Sequence, residues 1–597
     1  MLDLVTGGKR VCRIALLAPI FGATALDHLD AQAVVIQRAL KNATTQKDQT
    51  ARSMLSNQKA FAATSDGRLW ALTWFDDGSW NDTNTLSPQR DLARHLELHS
   101  SRDGGQSWTR VTEARTTGDA YGSLVVGPDG RTLHLCWYAW NGQKDATNFY
   151  TSVFYAAFDT RSDAWVGADH LLVQGFDSVN QTYSTPDIAV TSSGVIGVVF
   201  SSARAVPTGW VGGTGAWHSG LCWKKGANWS APHRINDDGS GVLANISAHG
   251  DDFHMCYRVT TGGYGVSYRR FDTKTETFGA EGELPVVPSA TNARRNISNL
   301  YANNASHVAT DVNGDVYVLY STGTSATGGG KLFYVHAAAG SYTFGAPIEI
   351  DDDTSLGWGN NTYRSFDLAR SADGGITAVY SKRVEKHRTL YMRILRPTAP
   401  VPPRTVPALT LRAGADDEFQ QLCAQTEVLG GREQLVQYSD LRPFATFTGG
   451  AVFAFGKSAG VTVFHGAACS GAKSFLPSLR GASLPTLGAT FTLALGGHPP
   501  QGPGALLLGL DDTKLFGAIP LPLDMVPFGM SGCSLTQDVL LTFAYATNAN
   551  GEASLPLPLP NDTNLVGLPL HWQAYVIVVA ANAGNAVVSN GLTTIPR

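Results

Sequence analysis

A pattern of roughly sixty residues recurs six times along the first two thirds of the chain. Each copy has an apolar strand, a turn containing glycine and a second, very apolar strand, as in "SLVVGPDGRTLHLCW" (residues 123–137). Asp-Gly and Asn-Gly between alternating runs are strong hairpin signals, because the turn needs a residue that tolerates positive φ. The turn glycines are Gly67, Gly130, Gly194, Gly250, Gly314 and Gly374, spaced 63, 64, 56, 64 and 60 residues apart.

Most copies continue with a second pair of strands, so each copy predicts one four-stranded antiparallel sheet. Repeated four-stranded sheets predict a β-propeller, in which each sheet buries its faces against its neighbours. We therefore predict an all-β protein whose residues 50–396 form a six-bladed β-propeller. A seven-bladed ring, with a blade built partly from residues before Lys59, is the open alternative.

The composition changes after the propeller. Residues 397–407 are rich in proline and predict a semi-rigid linker. Beyond them charge becomes sparse, and short alternating runs such as "ATFTLAL" and "WQAYVIVVA" predict strands. We expect residues 408–597 to form a C-terminal β-sandwich-like domain.

The N-terminus predicts export. Lys9 and Arg10 precede an apolar stretch, and Ala23-Thr24-Ala25 is typical of a cleavage site, so residues 1–25 are a predicted signal peptide. A buried N-terminal strand or helix is the alternative. No apolar run is long enough for a transmembrane helix. We expect a secreted or extracellular protein, with association at a cell surface left open.

The net charge and the cysteine spacing limit which partners, metals and disulfides the sequence predicts. The net charge of −4 and the lack of a basic block give no reason to expect nucleic acid. The cysteines are widely spaced without C-x-x-C, so we expect neither a metal site nor a cofactor. Among the six cysteines that follow the predicted signal peptide, Cys469 and Cys533 are the predicted disulfide. Cys136 and Cys256 lie in apolar strands, where we expect buried free thiols.

One short motif carries a family resemblance. Residues 101–108, "SRDGGQSW", fit S-x-D-x-G-x-[ST]-W and resemble the Asp-box, or BNR repeat, of sialidase-like β-propellers. In that family the box is the turn between the third and fourth strands of a blade. Asp and Ser side chains satisfy turn amides, so Asp103 is predicted to serve folding alone. The C-terminal region resembles, in composition, accessory modules of secreted bacterial proteins.

Strand topology predicts where a site would lie. The glycine turns and the Asp-box share one face, here called the bottom face, and a pocket would open on the opposite, top face. The resemblance implies an acidic proton donor in an early blade and a tyrosine nucleophile with an arginine cluster. By position, Asp76 or Asp77 would be the acid and Tyr363 the nucleophile.

Binding candidates follow from the same topology. Arginines on the top face favour a carboxylate, which a guanidinium binds through two parallel hydrogen bonds. Tryptophans in the long loop of residues 201–220 are suited to stacking on sugar rings. His307 with Arg258 would instead suit a lyase acting on uronates. The candidate binding residues are Arg204, Arg258, Arg364, Arg383, Trp210, Trp217 and His307.

Two functions remain open from the sequence. The first is a secreted glycosidase or polysaccharide lyase that binds, and cleaves, an acidic polysaccharide or glycoconjugate. The second is a non-catalytic carbohydrate-binding, adhesive or cell-surface structural protein. The single clear Asp-box and the lack of the Arg-Ile-Pro motif that sialidases usually carry favour the second function. Self-assembly is a further expectation, because exposed β-edges pair readily.

Overall fold

The structure is a computed structural model, and at some strand positions it describes the backbone alone. The residues that it describes are 32–36, 51–52, 59–66, 68–76, 94–102, 108–113, 119–143, 148–178, 185–203, 217–236, 241–259, 265–285, 306–323, 330–352, 366–370, 375–384, 387–398, 400, 404–405, 418–424, 436–441, 451–455, 461–465, 468–469, 475–483, 485–565 and 568–596.

The first strand, β1 (Gln32–Ile36), precedes six consecutive antiparallel sheets. Sheet 1 contains β2 (Ala51–Arg52), β3 (Phe61–Ala63), β4 (Leu69–Asp76), β5 (Arg94–Ser101) and β6 (Thr109–Glu113). Sheet 2 contains β7 (Asp119–Val126), β8 (Thr132–Gln143), β9 (Asn148–Asp159) and β10 (Ala164–Ser178). Sheet 3 contains β11 (Asp187–Val190), β12 (Ile196–Ala203), β13 (Trp217–Lys225), β14 (Asn228–Trp229) and β15 (His233–Arg234).

The next three sheets repeat this arrangement. Sheet 4 contains β16 (Gly241–His249), β17 (Asp252–Val259), β18 (Gly265–Asp272), β19 (Thr277–Phe278) and β20 (Gly282–Glu283). Sheet 5 contains β21 (His307–Thr310), β22 (Val316–Gly323), β23 (Gly330–Ala337) and β24 (Ile348–Asp352). Sheet 6 contains β25 (Phe366–Arg370), β26 (Ile376–Val384), β27 (His387–Ile394) and β28 (Arg404–Thr405).

Neighbouring sheets meet through their first strands. β11 lies beside β7, β16 beside β11, β21 beside β16, and β25 beside β21. Apolar side chains from two adjacent sheets share each core, as where Trp70 of sheet 1 packs edge-on against Phe158 of sheet 2, with ring centroids 5.6 Å apart. The predicted all-β propeller is therefore confirmed, because each sheet buries its faces against its sequence neighbours.

A further four-stranded sheet joins the two ends of the propeller region. Sheet 7 contains β29 (Glu418–Ala424), β30 (Val436–Leu441) and β31 (Ala451–Phe455), and β1 pairs antiparallel with β31 at its outer side. β29 lies beside β25 and β26 of sheet 6, where the first strand of a further blade would lie. The number of blades in the ring stays a prediction.

The C-terminal region supplies the remaining strands. In chain order they are β32 (Val461–His465), β33 (Ser478–Gly481), β34 (Thr490–Gly496), β35 (Pro503–Gly509), β36 (Lys514–Leu515), β37 (Ile519–Pro520), β38 (Leu523–Asp524), β39 (Ser534–Leu535), β40 (Leu541–Ala546), β41 (Ala553–Pro558), β42 (Leu570–Ile577) and β43 (Ala586–Ile595). Short 3-10 helices cover Val526–Phe528 and Thr563–Leu565. Among the described residues, no helix is long and apolar enough to cross a membrane.

Two sheets of this region pack on one core. Sheet 8 has the strand order β32-β43-β42-β35-β40, and sheet 9 has the order β33-β34-β41. Phe491 and Leu493 of sheet 9 are buried in the same cluster as Leu506 and Trp572 of sheet 8. Cys469 and Cys533 form the predicted disulfide beside this core.

Bottom-face turns of adjacent sheets are bonded to each other. The Ser65 amide in the turn of sheet 1 donates to the Gly130 carbonyl in the turn of sheet 2 at 2.8 Å. The turn glycines that the structure describes have positive φ, as the hairpin signal requires: Gly130, Gly194, Gly250 and Gly314. The guanidinium of Arg68 pairs with Asp163, which lies in the turn between the third and fourth strands of sheet 2. Both kinds of turn therefore share one face, as predicted.

The Asp-box turn itself, with Asp103, lies outside the described residues, but its flanks and its counterpart in sheet 2 are described. Trp108 packs on the core shared by sheets 1 and 2, with its ring 6.4 Å from that of Phe61. In sheet 2, Asp159 accepts from the Arg161 amide at 3.0 Å and from the Ser162 hydroxyl at 2.7 Å. This carboxylate closes a turn, which is the role predicted for the box.

The C-terminal region contacts the bottom face. Arg131, in the turn of sheet 2, forms an ion pair with Asp512, and both side chains are mostly buried, at 12% and 9% exposure. Ile595 of β43 lies in the apolar cluster of sheets 1 and 2. Burial lowers the pKa of Arg131 to about 10, so this guanidinium stays charged at neutral pH. The top face is thus on the side away from this junction.

We expect Arg131→Ala to loosen the C-terminal region from the propeller. The change leaves Asp512 mostly buried without its cation, which costs roughly 3 kcal/mol for a buried pair. Scanning calorimetry is expected to show the C-terminal region unfolding at a lower temperature than in the parent. Lys225→Ala breaks an exposed pair with Glu276, in which both side chains are almost half exposed, and serves as a control with little effect. Equal transitions in both variants would contradict the junction's contribution.

Two histidines are buried in equivalent positions of sheets 2 and 4. His134 Nδ1 lies 2.8 Å from the Tyr155 hydroxyl, and His254 Nδ1 lies 2.7 Å from that of Tyr268. Burial lowers the pKa of His134 to about 4 and that of His254 to about 3. Both imidazoles are therefore neutral in the folded protein over the ordinary pH range.

We expect the thermal midpoint to fall between pH 7.5 and pH 5. The unfolded histidines bind protons below their ordinary pKa of about 6.5, whereas the folded ones stay neutral down to about pH 4, so stability is lost as the pH falls. Each site contributes up to about 2 kcal/mol of this loss at pH 5. His254→Gln removes one site and is expected to give a shallower pH dependence. An unchanged slope would count against the buried histidines as its cause.

Candidate functional site

One polar residue on or next to the inner strand of each of the six propeller sheets lies at a similar distance from the bottom-face turn. We call this set the polar ring: Lys59, Ser123, Asp187, Asn245, His307 and Asp367. All six residues are buried, with exposures between 0% and 5%. The sheet register places Asp187, His307 and Asp367 at the ends of their strands away from the bottom-face turn, that is, toward the top face. Ser123 and Asn245 lie within strands that extend further in the same direction.

Asp187 is the centre of the ring. Its Oδ2 accepts from Lys59 Nζ at 2.6 Å, from Asn245 Nδ2 at 2.7 Å and from the Ile246 amide at 3.0 Å. Lys59 Nζ also donates to the Ile246 carbonyl at 2.6 Å. Lys59 lies between β2 and β3 of sheet 1, whereas Asp187 and Ile246 belong to sheets 3 and 4, so this ammonium connects sheet 1 to sheets that are not its neighbours.

The remaining ring contacts connect successive sheets. Asn245 Oδ1 accepts from the Val308 amide at 2.7 Å, which links sheet 4 to sheet 5. The Ser123 hydroxyl accepts from the Lys59 amide at 3.1 Å and donates to the Pro186 carbonyl at 3.2 Å. These bonds are structural, because each one satisfies a buried backbone group.

His307 and Asp367 form a hydrogen-bonded pair that uses only one of the two imidazole nitrogens. His307 Nδ1 lies 2.8 Å from Asp367 Oδ1, which also accepts from the Leu368 amide at 2.8 Å. A carboxylate accepts, so we assign the proton of His307 to Nδ1, and Nε2 then carries a lone pair. In the part of the chain that the structure describes, this buried Nε2 has no hydrogen-bond partner. The arrangement is that of an imidazole oriented by a carboxylate, which can accept a proton.

Two candidate arginines lie on strands that continue past the ring. Asn245 pairs with Cys256, so Arg258 is two residues further along β17. Asp367 pairs with Val379, so Arg383 is four residues further along β26. At about 3.3 Å per residue, their backbones lie roughly 7 and 13 Å beyond the ring toward the top face. The backbone thus brings His307, Arg258 and Arg383 to the same end of the propeller.

The other candidates are placed less fully. Asp76 is the last residue of β4 and Trp217 the first of β13, and only their backbones are described. Five of the predicted site residues lie outside the described residues: Asp77, Tyr363, Arg204, Arg364 and Trp210. Their roles stay predictions.

Neither metal nor thiol chemistry is indicated near the ring. The described residues contain no group of three or more His, Cys, Asp or Glu that could hold a metal ion. Cys222 and Cys256 are free and buried, and burial raises the pKa of both thiols to about 12. They therefore stay protonated and are poor nucleophiles.

Lys59 is the ring residue that the sequence pattern missed. Counting seven residues back from Gly67 gives Ala60, which is apolar, but the register of β3 with β4 continues to Lys59 opposite Thr73. The turn of sheet 1 spans five residues, like those of sheets 3 and 5, so Lys59 lies one residue further from its turn than Asp187 and His307 lie from theirs. The lysine immediately before an apolar strand was the available signal.

We expect Lys59→Met to destabilise the propeller strongly. Removing one partner of a buried ion pair leaves an uncompensated charge, here on Asp187, at a cost of roughly 3–5 kcal/mol. Chemical denaturation should show this loss as a lower midpoint. If the variant is too unstable to purify, the loss should appear as a lower soluble yield. Lys331→Met removes an exposed pair with Glu349 and is expected to change stability by less than about 1 kcal/mol. Equal losses of stability in the two variants would contradict the proposed contribution of the Lys59–Asp187 pair to the free energy of unfolding.

Comparisons with known proteins give structural similarities only. No protein-family model matches the chain, and no curated protein matches it. The α-L-arabinanase of Penicillium chrysogenum complexed with arabinobiose is 14% identical over 56% of this chain and 94% of that chain, with a TM-score of 0.34. Polysaccharide lyase Uly1 is 11% identical over 70% and 94%, with a TM-score of 0.37. A subtype N11 neuraminidase-like protein of A/flat-faced bat/Peru/033/2010 is 8% identical over 72% and 94%, with a TM-score of 0.33. Each TM-score is below 0.5, so the evidence for the architecture is the strand pairing within this chain.

Proposed function

We propose that this protein binds an acidic polysaccharide on the top face of the propeller and cleaves it there, with His307 as the proton acceptor. The observation that carries the proposal is the His307–Asp367 pair, whose Nδ1···Oδ1 distance is 2.8 Å. The carboxylate holds one imidazole nitrogen and leaves the other without a hydrogen-bond partner among the described residues. Because this Nε2 is buried, the proposal requires the residues above the ring to move aside so that the substrate proton comes within hydrogen-bond reach.

The charge pattern supports a uronate as the substrate. Arg258 and Arg383 lie on strands that extend past the ring toward the top face. A guanidinium pairs with a carboxylate and lowers the cost of removing the proton on the adjacent carbon. In such a step His307 Nε2 takes that proton, a C=C bond forms, and the bond from the β-carbon to the leaving sugar oxygen breaks. The leaving oxygen then takes up a proton.

The described carboxylates of the ring favour elimination over hydrolysis by two carboxylates. Asp187 is held by Lys59 and two further donors, and Asp367 is held by His307 and a backbone amide. Paired carboxylates in hydrolases must be free to donate a proton and to activate water or attack the sugar. A hydrolase remains the second form of the proposal, with Asp76, Asp77 and Tyr363 as its predicted residues.

Secretion is a further part of the proposal. The Cys469–Cys533 disulfide supports an oxidising compartment, where such bonds persist. A secreted, polysaccharide-cleaving propeller with an accessory C-terminal domain accounts for the predicted signal peptide as well.

We expect the parent protein to cleave a polyuronate, such as polygalacturonate or alginate, and not neutral arabinan. Elimination would raise ultraviolet absorbance from the new C=C bond, whereas hydrolysis would raise reducing ends without that absorbance. His307→Asn is expected to lower turnover by about 10²-fold or more, with polysaccharide binding retained. Arg258→Ala and Arg383→Ala are expected to weaken binding.

The controls separate loss of function from loss of fold. Each variant is compared by thermal midpoint and near-ultraviolet circular dichroism, and Arg161→Ala, at an exposed position in the bottom-face turn of sheet 2, is the matched arginine control. Polyuronate binding without turnover in the parent would favour the adhesive alternative. Full turnover in His307→Asn, or unchanged binding in both arginine variants, would overturn the proposed site.

A further inference from the structure

We propose that β40 pairs with β40 of a second copy of this chain, so that the C-terminal domain forms a two-fold symmetric dimer with one continuous sheet. β40 is the terminal strand of sheet 8 and pairs only with β35 among the described residues. An edge strand presents a row of unpaired N–H and C=O groups, which an extended strand of another chain can satisfy.

The register identifies which groups of β40 point outward. Pro503 pairs with Ala546, and because proline has no N–H this cannot be a hydrogen-bonded pair. Hydrogen-bonded and non-hydrogen-bonded pairs alternate along an antiparallel ladder. Phe543 and Tyr545 therefore bond to β35, as does Thr547, whose amide donates to the Gly502 carbonyl at 3.0 Å. The backbone groups of Thr542, Ala544 and Ala546 point away from sheet 8.

Among the terminal strands of sheets 8 and 9, β41 carries prolines that protect its edge, and β40 does not. β41 is the terminal strand of sheet 9, and its Pro556 and Pro558 pair with Thr492 and Thr490. By the same alternation these prolines occupy the outward positions of β41, where they remove two donors. Prolines on edge strands block pairing with another chain. β40 has neither proline nor charge at its outward positions.

Charge favours an identical copy as the partner. A two-fold axis brings each residue near the axis close to its own copy, so any charge there would face a like charge. The thirteen residues between Asp538 and Glu552 contain no Asp, Glu, Lys or Arg. The strand is therefore electrostatically compatible with itself.

The exposed apolar side chains add to this edge. Leu540 and Leu541, at the start of β40, are 50% and 44% exposed. They continue a stretch in which Phe516, at 76%, and Phe528, at 60%, are also exposed. Of twelve large hydrophobic residues exposed in the described structure, seven lie between residues 510 and 541. Exposed apolar side chains at a strand edge favour burial against a partner, and Leu540 and Leu541 supply them next to and within β40.

The geometry fixes the register of the proposed dimer. Only outward residues can form hydrogen-bonded pairs, and the two-fold register that pairs all three of them places Ala544 opposite Ala544 of the second copy on the axis, with Thr542 opposite Ala546 on either side. Three such pairs, each exchanging two bonds, give about six hydrogen bonds. Phe543 then lies opposite Tyr545 of the second copy, a cross-strand aromatic pair. Two five-stranded sheets become one.

The test is the mass of the full chain in solution over a rising protein concentration, measured by light scattering after size exclusion. We expect the parent to approach twice the chain mass. Ala544→Pro removes the outward N–H at the axis, and Ala544→Lys places like charges there. Each is expected to raise the dissociation constant by at least about tenfold, because hydrogen bonds are lost from both chains. Ala231→Lys, at an exposed position of sheet 3, is the charge control and should dimerise like the parent.

Cross-linking tests the register independently of affinity. Ala544→Cys should form a disulfide between two chains under mild oxidation, because hydrogen-bonded pairs place Cα atoms about 5.5 Å apart. Thr542→Cys should not, since its partner is Ala546. A monomeric parent at all concentrations, dimerisation of Ala544→Pro with a parent-like thermal midpoint, or cross-linking of Thr542→Cys equal to that of Ala544→Cys would each overturn the proposal. Pairing only with an added peptide would likewise overturn it in favour of a different partner.

Discussion

The buried ion pair of Lys59 and Asp187 is the contact on which the rest of the propeller depends. Its ammonium donates to Asp187 Oδ2 and to the Ile246 carbonyl, both at 2.6 Å, and so connects sheet 1 to sheets 3 and 4. Apolar packing between neighbouring sheets stabilises each pair of sheets but does not set their positions around the axis. The directional hydrogen bonds of the Lys59 ammonium set these positions, since each bond is lost when donor and acceptor move slightly apart.

The residues of the polar ring differ in whether the fold uses all of their hydrogen-bonding atoms. The side-chain oxygens of Asp187 and Asn245 accept hydrogen bonds from buried backbone amides, and Asp187 also accepts from Lys59. Buried backbone amides need such partners. His307 differs, because its Nδ1 is held by Asp367 while its Nε2 has no hydrogen-bond partner in the described part of the structure. The proposed function rests on that difference within one set of equivalent positions.

The C-terminal region has two distinct surfaces. One meets the bottom face through the mostly buried Arg131–Asp512 pair and through Ile595. The other consists of terminal strands of sheets 8 and 9, of which β41 carries prolines and β40 does not. The first surface orients the domain away from the top face, and the second is free for an identical partner. Binding a polysaccharide and pairing with a second copy are therefore compatible in one molecule.

Local sequence determined the repeat, because a glycine favours the positive φ that these turns need, as at Gly130, Gly194, Gly250 and Gly314, and it also determined the shared face of the turns. It indicated the Cys469–Cys533 disulfide as well. Contacts between distant segments were decided by the tertiary structure alone. Lys59 joins the ring because its ammonium reaches Asp187 and the Ile246 carbonyl in sheets 3 and 4, and Arg131 meets Asp512 across 381 residues. The outward side of β40 likewise depends on its register with Pro503, which no local pattern specifies.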